Sequence, residues 1–262
     1  MRPQRDSRKI LMNAVTPELA PDLRTSAFLL DVDGTLVDIA PTPRDVRVPA
    51  SLLRTLARLI ARTDGAVALV SGRAIADLDR LFDPLRLTAV GGHGAEFRLP
   101  DGTDVHRRDA PALGAELKRA LFAIAGAGVL AEDKGYSVAL HYRLVPEKEG
   151  LVCASVAKVC AESAAEPVEI LPGKAVIEIK RAGFSKATGV QELMRRAPFK
   201  GRVPIFIGDD TTDESVFAIM PDFGGLGLSV GRQVPGAINH FDTPAEVRQW
   251  LERLAPAESD AR

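Results

Sequence analysis

Two cysteines, four histidines and one tryptophan stand among the 262 residues. Cys153 and Cys160 lie seven apart in an amphipathic run that suits one buried helix face, so a disulfide framework is not expected. No His/Cys cluster has zinc spacing, which discounts a zinc site. Charge of one sign is lacking too: 34 Lys plus Arg face 35 Asp plus Glu, and no polyanionic partner such as nucleic acid is expected. With 46% apolar and 26% charged residues the composition is that of a soluble globular protein, too polar for a membrane span. No internal repeat is visible, which sets a solenoid aside. Residues 1–24 mix charge and proline and never reach the seven or so apolar residues of a signal-peptide core. They read as a tail with a short helix near Ile10 to Val15, and the end from Ala255 reads as frayed.

What is present is an alternation. "AFLLDV" from Ala27 is a short apolar run suited to a strand buried on both faces, and "ASLLRTLARLIART" follows with helical periodicity. Strands at "AVALVSG", "LTAVGG", "VPIFIGDD" and "GLGLSV" alternate with helices at "AIADLDRLF", "TDESVFAIM" and "AEVRQWLERLA". Such alternation predicts an α/β fold, a Rossmann-like doubly wound parallel sheet covered on both sides. The single Trp250, in the last helix, reads as packing.

Between these parts the rhythm changes. A helix from Ala112 to Ala125, strands at "VLAED" and "SVALHYR", a helix from Lys148 to Glu162, and strands at "PVEIL" and "AVIEIK" give helix, hairpin, helix, hairpin. The turn signals Lys134-Gly135 and Pro172-Gly173 separate the strand pairs. This unit predicts an antiparallel sheet with two helices on one face, an α/β cap domain inserted at 108–180. The core is then 25–107 with 181–262.

Ligands of open parallel sheets bind at the carboxyl ends of the strands, where three polar clusters fall: Asp31 with Asp33, Ser71-Gly72-Arg73, and Gly208-Asp209-Asp210. Two carboxylates at i and i+2 can share a divalent cation or divide the roles of nucleophile and proton carrier. An aspartate attacking phosphorus would form an acyl phosphate and split hydrolysis into two displacements. Gly34 would admit backbone N–H groups close to a phosphate, and Thr35 adds a hydroxyl. The same D-x-D-G is equally a polar turn. A hard cation such as Mg²⁺ takes oxygen ligands, which Asp31, the Asp33 carbonyl and Asp209 can supply. Asp210 to Glu214 also suit a helix N-terminus, and capping accounts for Glu214. Ser71 and Lys186 could meet a phosphate, although each alone is ordinarily a cap or a solvated charge.

"DVDGT", "SGR", Lys186 and "GDDTTD", in that order, resemble the four signatures of the haloacid dehalogenase-like phosphohydrolases, which use an aspartyl phosphate and Mg²⁺. With "GGHGAE", "EDKGYSVALHYR", "GKAVIEIK" and "GDDTTDESVF", the stretch from about Phe28 to Phe217 is similar to the trehalose-6-phosphate phosphatase family.

The resemblance implies Asp31 as nucleophile and Asp33 as general acid and then base. It implies phosphate contacts from Ser71 and Lys186, beside Gly34, Thr35 and Gly72. Mg²⁺ would lie on Asp31, the Asp33 carbonyl and Asp209, with Asp213 in or near its surroundings. Glu132, Lys134 and Glu178 match the family's sugar-binding set; without the resemblance they read as a salt-bridged hairpin surface. Arg73 is a further candidate for substrate binding. His141 and Arg143 either shape the sugar site or orient Glu132, and His93 either lines the site or makes a structural hydrogen bond near the cap hinge. One departure is Ala187, where the family usually has glycine, and its methyl bears on the backbone's approach to phosphate. A small sugar phosphate is the implied partner, with pairing to a trehalose-6-phosphate synthase left open; a cytoplasmic monomer is expected. Rival readings are another sugar phosphatase (sucrose-phosphate, mannosyl-phosphoglycerate or broad), a phosphosugar mutase, or a non-catalytic sensor.

Overall fold

The run Ser26–Leu30 forms the first strand, β1, and all five residues are buried. A strand without polar alternation needs cover on both faces. Phe28 and Leu30 pack with Leu52, Leu56 and Trp250 on one side, while Ala27 and Leu29 pack with Val190, Leu193 and Phe217 on the other. The computed structural model describes residues 20–42, 45–100, 104–107, 112–163 and 167–257. The helix expected near Ile10 to Val15, the expected start of the insertion at Arg108 and residues 258–262 lie outside the described residues.

From β1 the chain runs through α1 (Ala50–Arg62), β2 (Val67–Val70), α2 (Ile75–Leu81) and β3 (Thr88–Gly91) to two short strands, β4 (Glu96–Arg98) and β5 (Val105–Arg107). Next come α3 (Ala115–Phe122), β6 (Leu130–Asp133), β7 (Ser137–His141), α4 (Glu149–Glu162), β8 (Val168–Gly173) and β9 (Val176–Arg181). The remainder is α5 (Lys186–Met194), β10 (Val203–Gly208), α6 (Thr211–Ile219), β11 (Leu226–Val230), β12 (Asn239–Phe241) and α7 (Pro244–Leu254).

The larger sheet has the order β12, β11, β10, β1, β2, β3, β4, β5. It is parallel as far as β3 and antiparallel across β3–β4 and β4–β5. This is the expected doubly wound α/β core, with an antiparallel edge that the alternation did not announce. Helices α1, α2 and α7 cover one face and α5 and α6 the other. In α1 the helical spacing puts Leu52, Leu56 and Leu59 on the buried side. Because β1 lies between β2 and β10, chain order reverses there, and the carboxyl ends of β1 and β10 open the crevice in which such sheets bind ligands.

The second sheet, β6, β7, β9, β8, is antiparallel throughout. Its period of two sends Val138, Leu140, Ile177 and Ile179 into a cluster with Leu117 and Leu121 of α3 and Val152 and Val156 of α4. The intervening residues face away from those helices. Glu132 pairs with Ala139 and Ala139 with Glu178, so one row crosses three strands with a carboxylate at each end and a methyl between. One turn corrects the sequence reading: Pro172 and Gly173 belong to β8, and the turn residues are Lys174 and Ala175, the latter at φ 59°. No helix among the described residues is long and apolar enough to cross a membrane.

Candidate active site

Asp31 is the first residue after β1, 4% exposed, and its N–H continues the sheet by donating to the Ile207 carbonyl. Lys186, 3% exposed, opens α5, whose N-cap Ser185 exchanges capping hydrogen bonds with Thr188. That fixed helix start aims the ammonium at two carboxylates, Asp31 Oδ1 and Asp213 Oδ1, each at 2.7 Å. The other oxygen of Asp213 accepts the N–H groups of Asp209 and Asp210 at 3.0 Å, which makes Asp213 a strut between α5 and the start of α6. Asp210 caps α6 by accepting from the Thr211 N–H at 2.7 Å, as its N-terminal position suggested. Glu214 pairs with Arg232 at 3.0 Å.

Thr35 links Asp31 and Asp209, its hydroxyl 3.1 Å from Asp31 Oδ2 and 3.4 Å from Asp209 Oδ1. Gly34 sits at φ 82°, and a Cβ there would come within 2.2 Å of Asp209 Oδ2; close approach and a left-handed backbone both require glycine. Oxygens of Asp31, Asp209 and Asp213 can all lie within 4.8 Å of one another. Burial and then the charge of Asp213 push the Asp31 carboxyl well above the usual carboxylate range, and Lys186 does not offset them. Burial raises Asp209 as well. For Lys186, burial works to lower the ammonium, but Asp213 and Asp31 outweigh it and raise it. Crowded buried oxygens with too little cationic charge, brought together where only a glycine lets the Asp209 carboxylate come so close, fit a small hard cation.

Asp33 has a different partner. Arg73 grips it bidentately, Nε at 2.6 Å and Nη2 at 2.7 Å, and this pairing outweighs the burial that would lower the guanidinium. Ser71 is buried at the end of β2, where its Oγ accepts the Arg73 N–H at 3.2 Å and its O–H remains a donor. Gly72 lies against His93: a Cβ would meet Nε2 at 2.4 Å.

Around Glu178 the two sheets meet. This buried carboxylate accepts from Ser137 Oγ at 2.6 Å and Lys134 Nζ at 2.8 Å, and lies 3.2 Å from His93 Nε2. Burial alone would raise its carboxyl, but Lys134 and then His93 outweigh it and hold it well below the usual range. Lys134 also donates to the Gly72 carbonyl at 3.2 Å, which brings it beside the β2 end of the large sheet. Burial would lower its ammonium; Glu178 and Glu132 overcome this and raise it. Glu132 pairs with His141 Nε2 at 2.9 Å, and that bond lowers its carboxyl. Of the two roles open to His141, the orientation of Glu132 is the one its contact fits. Arg143 is not among these groups: it donates to the Ala40 carbonyl after β1 and, at 2.7 Å, to the Lys174 carbonyl. The Tyr136 hydroxyl and His93 Nδ1 are buried without a protein partner.

Sequence reading missed Lys174, whose Nζ reaches Asp209 Oδ2 at 2.5 Å from the β8–β9 turn. It also passed over Ser137 as a contact of Glu178. The signal for Ser137 was there: two residues before Ala139 on the same strand, it shares the face that carries Glu178's neighbours.

A doubly wound core with its carboxylates at the ends of β1 and β10, a lysine heading α5, and a second α/β sheet entered after β5 defines a haloacid dehalogenase-like protein. Within that class the chain belongs to the trehalose-phosphatase family, whose sequence model matches residues 29–235. It is 42% identical over 241 residues to a probable trehalose-phosphate phosphatase of Sinorhizobium fredii, covering 90% of each chain. It is 37% identical over 246 residues to the trehalose-6-phosphate phosphatase of Escherichia coli, covering 92% of this chain and 90% of that one. Among solved structures, the C-terminal domain of Candida albicans trehalose-6-phosphate phosphatase superposes with a TM-score of 0.78 at 22% identity, over 88% of this chain and 92% of that one, which is a likeness of fold.

Proposed function

We propose that this protein is a Mg²⁺-dependent phosphatase that hydrolyses trehalose 6-phosphate to trehalose and inorganic phosphate. The observation that carries the reading is the bridge at Glu178: Lys134 and His93 bring the carboxylate row of the small sheet against Gly72, beside the Asp31 centre. Sugar hydroxyls and phosphate would thus be held in one enclosed space. On this reading residues 108–180 act as a cap, and closure excludes bulk water.

Asp31 attacks phosphorus in line with the bond to the sugar oxygen, forming an aspartyl phosphate as that bond breaks. Asp33 gives its proton to the leaving sugar oxygen, then takes one from the water that attacks the acyl phosphate and restores Asp31. A protonated Asp33 keeps only one of its two bonds from Arg73, so Arg73 partly releases it for the first step and secures the carboxylate for the second. Ser71 and Lys186, with the Gly34, Thr35 and Gly72 backbone, hold the phosphoryl oxygens. Glu132, Lys134 and Glu178 hydrogen-bond the sugar, with His141 fixing Glu132, and they reject analogues that leave them unpaired. The cation would be held by Asp31, the Asp33 carbonyl and Asp209, with Asp213 behind them; when bound it neutralises charge on the phosphoryl oxygens. The protein would work as a cytoplasmic monomer on a sugar phosphate supplied by a synthase.

Phosphate release from trehalose 6-phosphate, sucrose 6-phosphate, glucose 6-phosphate and mannosyl-3-phosphoglycerate, with Mg²⁺ or with chelator, tests this. A strong Mg²⁺-dependent preference for the first is expected. Similar turnover of all four would sink the sugar assignment and spare the aspartate chemistry; binding without turnover would favour a sensor.

A further inference from the structure

Three buried carboxylates meet at the ends of β1 and β10, yet among the described residues the core supplies one ammonium to them, and Lys186 bonds to Asp31 and Asp213 and not to Asp209. The ammonium on Asp209 comes from the other sheet. Lys174 stands in the two-residue turn between β8 and β9, its side chain 51% exposed, and its Nζ lies 2.5 Å from Asp209 Oδ2, which is 2% exposed. Three more bonds hold the turn against the core. Thr211 Oγ1 donates to the Pro172 carbonyl at 2.7 Å, and Arg143 donates to both the Lys174 and Ala40 carbonyls.

We propose that Lys174 is a positioning residue that occupies the cation's place on Asp209, so that its ammonium and a divalent cation compete for that carboxylate while the rest of the β8–β9 turn stays seated. The proposal rests on the metal reading of the Asp31 centre given above. Its physical basis is charge and space. Asp209 Oδ2 takes the Lys174 ammonium at contact distance, so an ion on that carboxylate meets its positive charge and competes with it. Formally, three carboxylates against two ammonium groups leave one negative charge uncompensated. Exchange of Lys174 for a divalent ion closes that deficit and frees one positive charge at the mouth of the site, where a phosphate dianion would arrive. The exchange needs no unfolding, because Lys174 is half-exposed and a groove of about 370 Å³ lined by Lys174, Asp209 and Arg232 opens beside it.

The test is Mn²⁺ and Mg²⁺ binding to the full chain by calorimetry, without substrate. Lys174→Met and Lys174→Gln should bind the ion about tenfold or more tightly than the parent protein, equivalent to about 1.4 kcal/mol. Lys174→Arg, which restores the cation, should return the affinity towards the parent value. Unchanged or weaker binding in both neutral variants overturns the proposal. Asp209→Asn separates the two readings. If it abolishes ion binding while the Lys174 variants match the parent, only the competition fails; if ion binding survives it intact, the metal reading fails and takes the proposal with it. Circular dichroism confirms that the half-exposed turn variants are folded.

Discussion

Among individual residues, Asp31 and Glu178 are buried carboxylates with opposite fates. Asp31 is pushed up by burial and Asp213, so its contribution to stability is present at low pH and lost as pH rises through the raised value. At neutral pH, without a cation, it costs stability. Asp31→Asn should therefore lose turnover on the order of 10⁴-fold or more while its metal-free melting temperature stays level or rises. A variant that melts lower, or retains substantial turnover, would refute the assignment. Glu178 is held well below the usual range, so its contribution is present above the unfolded value of about 4.3 and is lost as pH falls through the folded one. Against Glu178→Gln, urea unfolding should show an advantage of about 2 kcal/mol that holds from pH 7 to about 5 and shrinks below about 4. An advantage that grows towards acid would mean the partners are wrong. The sequence revealed the catalytic candidates because apolar strands running into aspartates are local signals. It did not reveal who holds them: Arg73 and Asp33 are 40 positions apart, Lys174 and Asp209 are 35, and a lysine in a turn ordinarily belongs to solvent.

At the level of elements, the departure at Ala187 takes on a structural meaning. Ala187 is 8% exposed and packs with Val190, Leu193 and the large sheet, so it is part of the core under α5. The close approach belongs instead to Gly189, where a Cβ would lie 2.4 Å from Val90 Cγ1 of β3. Ala187→Gly should lower stability by about 1 kcal/mol, the helix-propensity difference, with no gain in turnover. A faster variant would return the phosphate-approach argument to this residue. The long elements were readable because α1, β1 and β10 each carry a full period of burial. Strands β4, β5 and β12 were not, since three residues such as Glu-Phe-Arg or Asn-His-Phe are too short to show alternation, and their pairing is set by neighbours. The β8–β9 turn was misplaced by one dipeptide because Pro172 is tolerated in the outermost strand of the small sheet.

For the molecule as a whole, the two sheets are tied across the site by polar bonds: Lys134 to Gly72, His93 to Glu178, Thr211 to Pro172 and Arg143 to Ala40. Such contacts form between segments far apart in sequence, and periodicity carries no trace of them. The change of rhythm into helix, hairpin, helix, hairpin was visible; the seating of one sheet on the other was not. Arg143→Ala removes the bond to the loop after β1 and the bond to the β8–β9 turn together. It should raise KM for trehalose 6-phosphate more than for a small phosphate ester, and should enlarge the radius of gyration in solution scattering. An unchanged radius with an unchanged KM would assign Arg143 to the surface.

The row from Glu132 through Ala139 to Glu178 has one more consequence. Neighbouring strands stand about 4.8 Å apart, so the backbones bearing the two carboxylates are about 9.6 Å apart, a length set by the peptide hydrogen bond and not by any side chain. The sheet is in effect a ruler with three marks. A side-chain substitution changes what is written at a mark and leaves the interval between marks as it is. On the proposed reading, in which these carboxylates hold the sugar, a substrate is selected first by its breadth and only then by its hydroxyl groups.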